Sequence, residues 1–213
     1  MPRLNVNPTR IELKKCKERL KATTSGHKLL KNKADEMVRQ FLLVTEEAKV
    51  LRTETEQKLA DALNKFALAR ASSGGKAVES ALYSGNFEPL SVDIGSINIV
   101  GTEVPTLNLK SNVATITSIP YLLASAPAEL DDAIFNFYDV LVPLLRLAEI
   151  EKTCALLAIE IQKIRRRVNA LEHIMIPNLQ DTVQYIQMRL DENERGALVR
   201  LMKVKDNIEK SQK

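Results

Sequence analysis

The sequence predicts a mainly α-helical fold, a long antiparallel two-helix coiled coil formed by the N- and C-terminal helices, with a small β-hairpin head mid-chain. Three observations predict it. Near the C-terminus, apolar residues recur at alternating steps of four and three: Ile150, Cys154, Leu157, Ile161, Ile164, Val168, Leu171. That narrow stripe is a coiled-coil seam, not the broader face of a globular helix. A second stripe of the same kind starts close to the N-terminus, and a β-branched stretch with turn residues separates the two.

Composition sets the bounds. In 213 residues, 27% are charged and only 4% aromatic, with no Trp and seven Gly. That is the balance of long helices, not of a β-rich enzyme domain. A net charge of +4 suits an anionic partner surface but is too small to argue for nucleic acid. Both cysteines fall on seam positions and read as small buried hydrophobes in a reducing compartment. There is no signal peptide and no apolar run long enough to span a bilayer. The reading is cytoplasmic, peripheral to a membrane only through another protein.

Residues 1–7 form an N-terminal arm. Asn7-Pro8 predicts the helix opening, with Asn as N-cap and Pro at the first helical position, where its missing N–H costs nothing. The coiled-coil helix over 8–70 carries the seam Leu13, Cys16, Leu20, Thr23, His27, Leu30, Ala34, Met37, Phe41, Val44, Ala48, Leu51, Thr55. After a four-residue stutter it resumes as Leu59, Ala62, Phe66, Ala69. Such a helix is about 95 Å long at roughly 1.5 Å per residue.

The C-terminal helix spans 129–208, ahead of a tail over 209–213. Past Leu171 its steps become four, four, three through Met175, Leu179, Thr182, Ile186, Leu190, Asn193, Ala197, Leu201 and Val204. An eleven-residue repeat of about 3.67 residues per turn relaxes the supercoil towards straight. Laid antiparallel, the seams match with Phe41 opposite Met175, Ala48 opposite Val168, Thr55 opposite Ile161 and Phe66 opposite Ile150. Thr23 then faces Asn193, and Ala34 faces Thr182, polar layers of the kind that fix register. A shift of one heptad matches nearly as well.

The head region covers 71–128. Ser72-Ser73-Gly74-Gly75 breaks the first helix, Ala77 to Tyr83 is a further helical piece, and 85–89 is loop. The hairpin is read over about 91–109, with strands near 91–100 and 103–109 and a bulge at Gly95-Ser96, where the alternation shifts phase. Pro105 marks an edge strand. Residues 110–127 are irregular. Helix resumes near Ala128 with Leu130, Ile134, Phe137, Leu141 and Leu144 inward, and Pro143 is expected to kink it.

The sequence predicts no catalytic, cofactor-binding or metal-binding residues. Gly74-Gly75-Lys76 resembles a phosphate loop only in part, since Ala77 stands where Ser or Thr would hold the metal and Arg70 where the first Gly belongs. His27 and His173 lie far apart in the proposed register, with no zinc-ligand spacing around them. Arg165-Arg166-Arg167 is the sharpest charge cluster, with Glu46-Glu47 roughly opposite as its intramolecular alternative. Aromatics for nucleic-acid stacking are absent.

Several strings resemble a known family. Asn7-Pro8-Thr9-Arg10 and residues 26–33 (GHKLLKNK) look like the opening signature of the D subunit of the V-type and archaeal-type rotary ATPases. Glu151-Lys152-Thr153, residues 165–172 (RRRVNALE), Ile176-Pro177-Asn178-Leu179, residues 191–195 (DENER) and Lys203-Val204-Lys205 resemble its C-terminal signature. The likeness covers roughly 3–50 and 147–208, and the middle matches only in layout. It implies a non-catalytic central rotor shaft, an antiparallel coiled coil with a hairpin head. It implies that the end with both termini inserts into the A and B subunits of the catalytic hexamer. The head, with the small central-stalk F subunit, would dock on the membrane-side funnel subunit, called C or d. No cofactor, nucleic acid or direct membrane insertion is implied. A cytosolic scaffold or tether coiled coil is the alternative. It would share the seams but not the signature strings, and would form a stable homodimer.

The seam residues singled out are Leu20, Leu30, Met37, Phe41, Leu51, Phe66, Ile150, Leu157, Ile161, Ile164, Val168, Leu171, Leu179, Ile186 and Leu201. Candidate partner contacts are Arg165, Arg166, Arg167, Arg10, Lys203, Ile97, Ile99 and Val104.

Overall fold

The computed structural model describes residues 6–83, 91–109 and 128–211. The expected loop at 85–89, the irregular stretch at 110–127, most of the N-terminal arm and the end of the tail lie outside the described residues. Helix α1 runs Arg10–Ser73, and α2 Gly75–Tyr83. Strands β1, Val92–Ile99, and β2, Thr102–Leu109, follow. Helix α3 runs Ala128–Ala170, one π-helical turn occupies Leu171–Met175, and α4 runs Ile176–Ser211. The fold is mainly helical, with long N- and C-terminal helices that pack together and a small central hairpin. The chain divides into two compact units, 1–35 with 162–213, and 36–161.

The N-cap differs from the sequence reading by two residues. Thr9, not Asn7, caps α1, its Oγ1 accepting the Glu12 N–H at 3.3 Å. Thr9 and Glu12 stand in capping-box spacing, and a threonine hydroxyl placed to reach N3 displaces the start past Pro8. At the far end Gly74 adopts φ +81 and its N–H donates to the Arg70 carbonyl at 3.1 Å. A left-handed glycine of this kind ends the helix and satisfies a terminal carbonyl.

In the first unit the opening of α1 packs on the end of α3 and on α4. Cys16 is buried with Val183 and Ile186, and Leu13, Tyr185 and Leu190 pack around them. In the second unit the remainder of α1 packs on α3. Ala69 shares a cluster with Val78, Ala81 and Leu130, flanked by Phe66, Leu82 and Ile134. Phe66 meets Phe137 edge to face, centroids 6.2 Å apart. Phe66 therefore lies opposite Phe137, nearly two heptads from the Ile150 expected of it. The reason is visible in the seam threonines. Thr55 and Thr182 are each 1% exposed, and their hydroxyls donate to the carbonyls of Leu51 and Asn178 four residues back, both at 2.6 Å. A threonine that satisfies itself within its own helix needs no polar layer opposite, so it does not set register.

One expectation for α3 changes. Pro143 lies inside the helix, which runs on through it. Leu144, expected inward, is exposed, while Val140 is buried at 1% exposure.

The change of seam period at Leu171 takes the form of a π turn, in which the Ile176 N–H donates to the Leu171 carbonyl, five residues back. Pro177 supplies the cause. It lacks an N–H, and its ring collides with the carbonyl four residues earlier in a regular α-helix, which a wider turn relieves.

The hairpin closes on two residues, Val100 and Gly101, with φ 50 and 83. Two positive φ values make a type I′ turn, whose twist matches the strands. Asn98 Oδ1 accepts the Gly101 N–H at 2.7 Å. Pairing is continuous from Val92 with Leu109 to Ile99 with Thr102, so there is no bulge at Gly95-Ser96. Gly95 instead sits opposite Thr106, where a Cβ would approach Thr106 Oγ1 to 2.5 Å. The glycine that broke the alternation makes room for its cross-strand neighbour. The Leu107 N–H leaves the ladder and donates to Glu149 Oε2 at 3.1 Å. Pro105, two residues away, points its missing N–H to the same outer edge, where the ladder needs none.

Candidate interaction site

The side chains singled out from sequence fall into three groups. Most seam residues lie along the helix contacts. Met37, Leu157, Ile164, Leu179 and Ile186 are almost fully buried, and Ile150, Ile161 and Val168 are buried to 8 or 9% exposure. Leu20, Leu30, Phe41, Leu51, Phe66 and Leu171 are half-buried. Leu201 is the exception, at 65% exposure.

Leu201 fails because of where α1 begins. Arg10, the first residue of α1, pairs with Glu194 at 2.6 Å. The rest of α4 therefore extends beyond the start of α1 and has no α1 to lie against. Leu198, Leu201, Met202, Val204 and Ile208 are all more than half exposed there. Lys203 lies on the same free segment and is exposed.

The second group is charged. Polar pairs join the facing helices in both units: His27 Nε2 lies 3.2 Å from Glu172 Oε2, and Glu47 pairs with Arg146 at 3.1 Å. Arg52 bridges Glu56 at 2.9 Å and Glu151 at 3.5 Å. Glu47 is thus engaged by Arg146, not held for the arginine cluster. Arg165, Arg166 and Arg167 are exposed and make no ion pair among the described residues. Within α1 the Arg39 guanidinium donates two hydrogen bonds to Glu36 and, with Gln40, holds its carboxyl down to about 2.

The third group is the hairpin. Ile97 is 56% exposed and Ile99 half-buried, but Val104 is 3% exposed and has no face left for a partner. Ile94, not singled out from sequence, is the most exposed apolar residue of the strands at 77%. With no bulge in β1, alternation places it on the opposite face from Ile97. Among the described residues no group of three or more His, Cys, Asp or Glu side chains is placed to hold a metal ion. No helix of the described residues is long and apolar enough to cross a membrane.

These are the features of a chain that presents surfaces. The curated relatives agree along their whole length. The V-type ATP synthase D subunit of Clostridium botulinum (strain Alaska E43 / Type E3) is 47% identical over 211 residues, 98% of this chain and 99% of that one. The protein of the same name from Clostridioides difficile (strain 630) is 49% identical over 208 residues, covering 98% and 93%. That of Fusobacterium nucleatum subsp. nucleatum is 46% identical over 210 residues, covering 99% of each. The model of the ATP synthase D subunit family matches residues 12–206, which take in both long helical arms and the hairpin between them, and the chain belongs to that family.

Proposed function

We propose that the two helical arms transmit torque between ATP turnover in the A and B subunits and ion translocation in the membrane ring. As a member of its family the chain is a central-stalk rotor component, a shaft linking the catalytic and membrane parts of a V-type ATPase. The family is non-catalytic. The observation that carries the reading is the family match across residues 12–206. An α1 of 64 residues without a break supports it, since torque needs a continuous element.

A two-helix coil is not threefold symmetric. Surrounded by three catalytic interfaces, it touches them unequally, and its angle biases which is open and which is closed. Coupling then arises from differential contact, with no nucleotide bound to this chain. The free end of α4, with Leu198, Leu201, Met202 and Lys203, is the segment we assign to the inner wall of the A and B hexamer. The exposed isoleucines of β1 are assigned to the small F subunit or to the membrane-side funnel subunit. The chain then works in the cytoplasm, peripheral to the membrane as part of the complex.

The test is co-purification. Tagged chain drawn from native extract should bring down a membrane-linked ATPase whose activity and rotation depend on it. A stable homodimer that recovers no ATPase subunits would overturn the reading.

A further inference from the structure

The hairpin has two outer edges, and the fold treats them differently. Its two-residue turn makes Ile99 and Thr102, which flank it, a hydrogen-bonded pair. Bonded and non-bonded pairs alternate along an antiparallel ladder. Ile97 with Val104 and Gly95 with Thr106 are therefore bonded pairs, and Ser96 with Pro105 and Ile94 with Leu107 are not. The outer groups of β2 agree with this phase, since the Leu107 N–H leaves the ladder for Glu149 and Pro105 has none to offer. On β1 the same phase turns the N–H and C=O of Val92, Ile94, Ser96 and Asn98 away from β2.

The edge of β2 is closed, because Pro105 and the Glu149 carboxylate leave no row of donors there for another chain. The edge of β1 is open. Among the described residues no hydrogen bond reaches its four outward residues from outside the hairpin, and all four are exposed. It also lacks the devices that blunt a free edge, for β1 contains no proline, no lysine and no bulge. Its outward donors and acceptors recur every two residues, about 6.8 Å apart in a strand. Another extended backbone matches that repeat residue for residue. The side chains of a helix do not, since they return to one face only every three or four residues. Two strands alone are marginal in water, and a third makes the smallest sheet that holds by itself.

We propose that β1 receives a third strand, an extended segment of a partner protein that pairs with its outer edge through main-chain hydrogen bonds. The side chains of the hairpin narrow the chemistry of that segment. Ile94 and Ile97 stand on opposite faces, 77% and 56% exposed, so the incoming strand carries an apolar side chain on each face. Residues 91–109 include Asp93 and Glu103 and no lysine or arginine, so the segment that fits is basic or uncharged, not acidic. The proposal rests on the rotor reading above, which makes the partner a subunit that meets the head. It adds the mode of contact, backbone pairing in place of side-chain burial alone.

The experiment uses the full chain and the remaining subunits of the ATPase, with amide exchange resolved to single residues. In the isolated chain the amides of Ile94, Ser96 and Asn98 should exchange freely, and those of Gly95 and Ile97 slowly. Assembly should slow the outward set at least about tenfold. Ser96→Pro removes one outward N–H without costing a ladder bond, and should weaken association about tenfold. Ser96→Ala keeps that N–H and should associate as wild type does. If the proline opens the hairpin, seen as fast exchange at Gly95 and Ile97, the wild-type exchange pattern decides alone. Outward amides that stay open in the assembled complex overturn the third strand. So does equal association of Ser96→Pro and Ser96→Ala with the hairpin intact. Isolated wild-type chain that is dimeric, with its outward amides already protected, makes the occupant a second copy and overturns the partner strand. Wild-type chain that does not associate at all refutes the rotor reading and the third strand with it, and is seen before any variant is made.

Discussion

Arg10 meets Glu194 at 2.6 Å, and that contact marks where α4 parts from α1. On one side of it seam residues are buried, and on the other they face solvent. Ile164 is 1% exposed and Leu201 65%, although both fit the apolar stripe read from sequence. Ile164→Ala should cost about 2–5 kcal/mol in the isolated chain, as large-to-small core changes do. Leu201→Ala should stay within about 0.5 kcal/mol, the range of surface substitutions. Denaturant melts of the two variants check this. In the assembled ATPase the order should change, with Leu201→Ala reducing association or turnover. Equal cost of both in the isolated chain would mean that α4 is covered beyond Glu194.

Thr45 Oγ1 lies 3.9 Å from Cys154 Sγ, which sets the register of the second unit. Thr45→Cys under mild oxidation should form a disulfide with Cys154, leaving Cys16 as the free thiol. Intact mass and thiol titration read the outcome. The Thr45 side chain adjoins the seam residue Val44 and its Oγ1 already lies 3.9 Å from Cys154 Sγ, so a thiol there would stand beside its partner on the facing helix. A chain that keeps three free thiols would favour the register inferred from matched polar layers.

The helices were legible because a seam is a repeated signal. Every seam position assigned to α1, from Leu13 to Ala69, is buried or half-buried. Register was not legible, because it depends on how pairs meet. Alanine seam residues such as Ala62 and Ala69 fit many partners, and the threonines satisfy themselves. What distinguishes the observed register is the edge-to-face contact of Phe66 with Phe137 and the flanking pairs at Arg10, His27, Arg52 and Arg146. The arginine ion pairs lie off the seam, where the apolar stripe carries no information. For the candidate contacts, exposure decided. The arginine cluster was visible as a string, and the structure leaves it exposed. Val104 lies on β2 opposite Ile97 and is buried there, a matter of tertiary cover that strand alternation does not reveal, while Ile94 lies on the opposite face from Ile97 because no bulge intervenes.

Glu36 offers a local test of charge pairing. Its carboxyl is held down to about 2, first by the Arg39 hydrogen bonds and then by Gln40. The interaction is therefore complete above the ordinary value of 4.5 and is lost as pH falls through about 2. An NMR titration of the Glu36 side chain should give the low midpoint in wild type. Arg39→Ala should move it up towards 4.5. An unchanged midpoint would show that solvent screens this exposed pair completely.

Val100 is a β-branched residue at φ 50, where asparagine or glycine normally sits in a type I′ turn. The left-handed conformation costs roughly 1–2 kcal/mol for an L-residue with a Cβ. Val100→Asn should therefore steady the hairpin by about 1 kcal/mol, seen as slower amide exchange across the ladder. Gly95→Ala should do the reverse, because its Cβ would meet Thr106 Oγ1 at 2.5 Å. If Val100→Asn loosens the ladder instead, the half-buried valine side chain contributes more by packing than its backbone costs.

The hairpin gives the last prediction, because there the fold and the proposed function make separable claims. Two-stranded elements seldom hold an apolar face in water without a cover. Here β2 is anchored, through buried Val104 and the Leu107 bond to Glu149, while Ile94 and Ile97 on β1 stay exposed. The two isoleucines lie three residues apart in a strand paired without a bulge, so each face of the anchored hairpin carries one exposed apolar side chain open to docking. Replacing 91–109 by a short Gly-Ser loop should leave most of the helical melt intact, since the seam residues of α1 and α3 remain. The loss should be local, near Glu149, and hydrogen exchange would locate it there. Association with the small F subunit or the funnel subunit should fall, and with it the stimulation of ATPase. Ile94→Asp/Ile97→Asp should reproduce that loss without disturbing β2, because both side chains already face solvent. If the deletion unfolds the helices, the hairpin is a structural brace. If the double variant assembles and turns over as wild type does, the exposed isoleucines carry no contact.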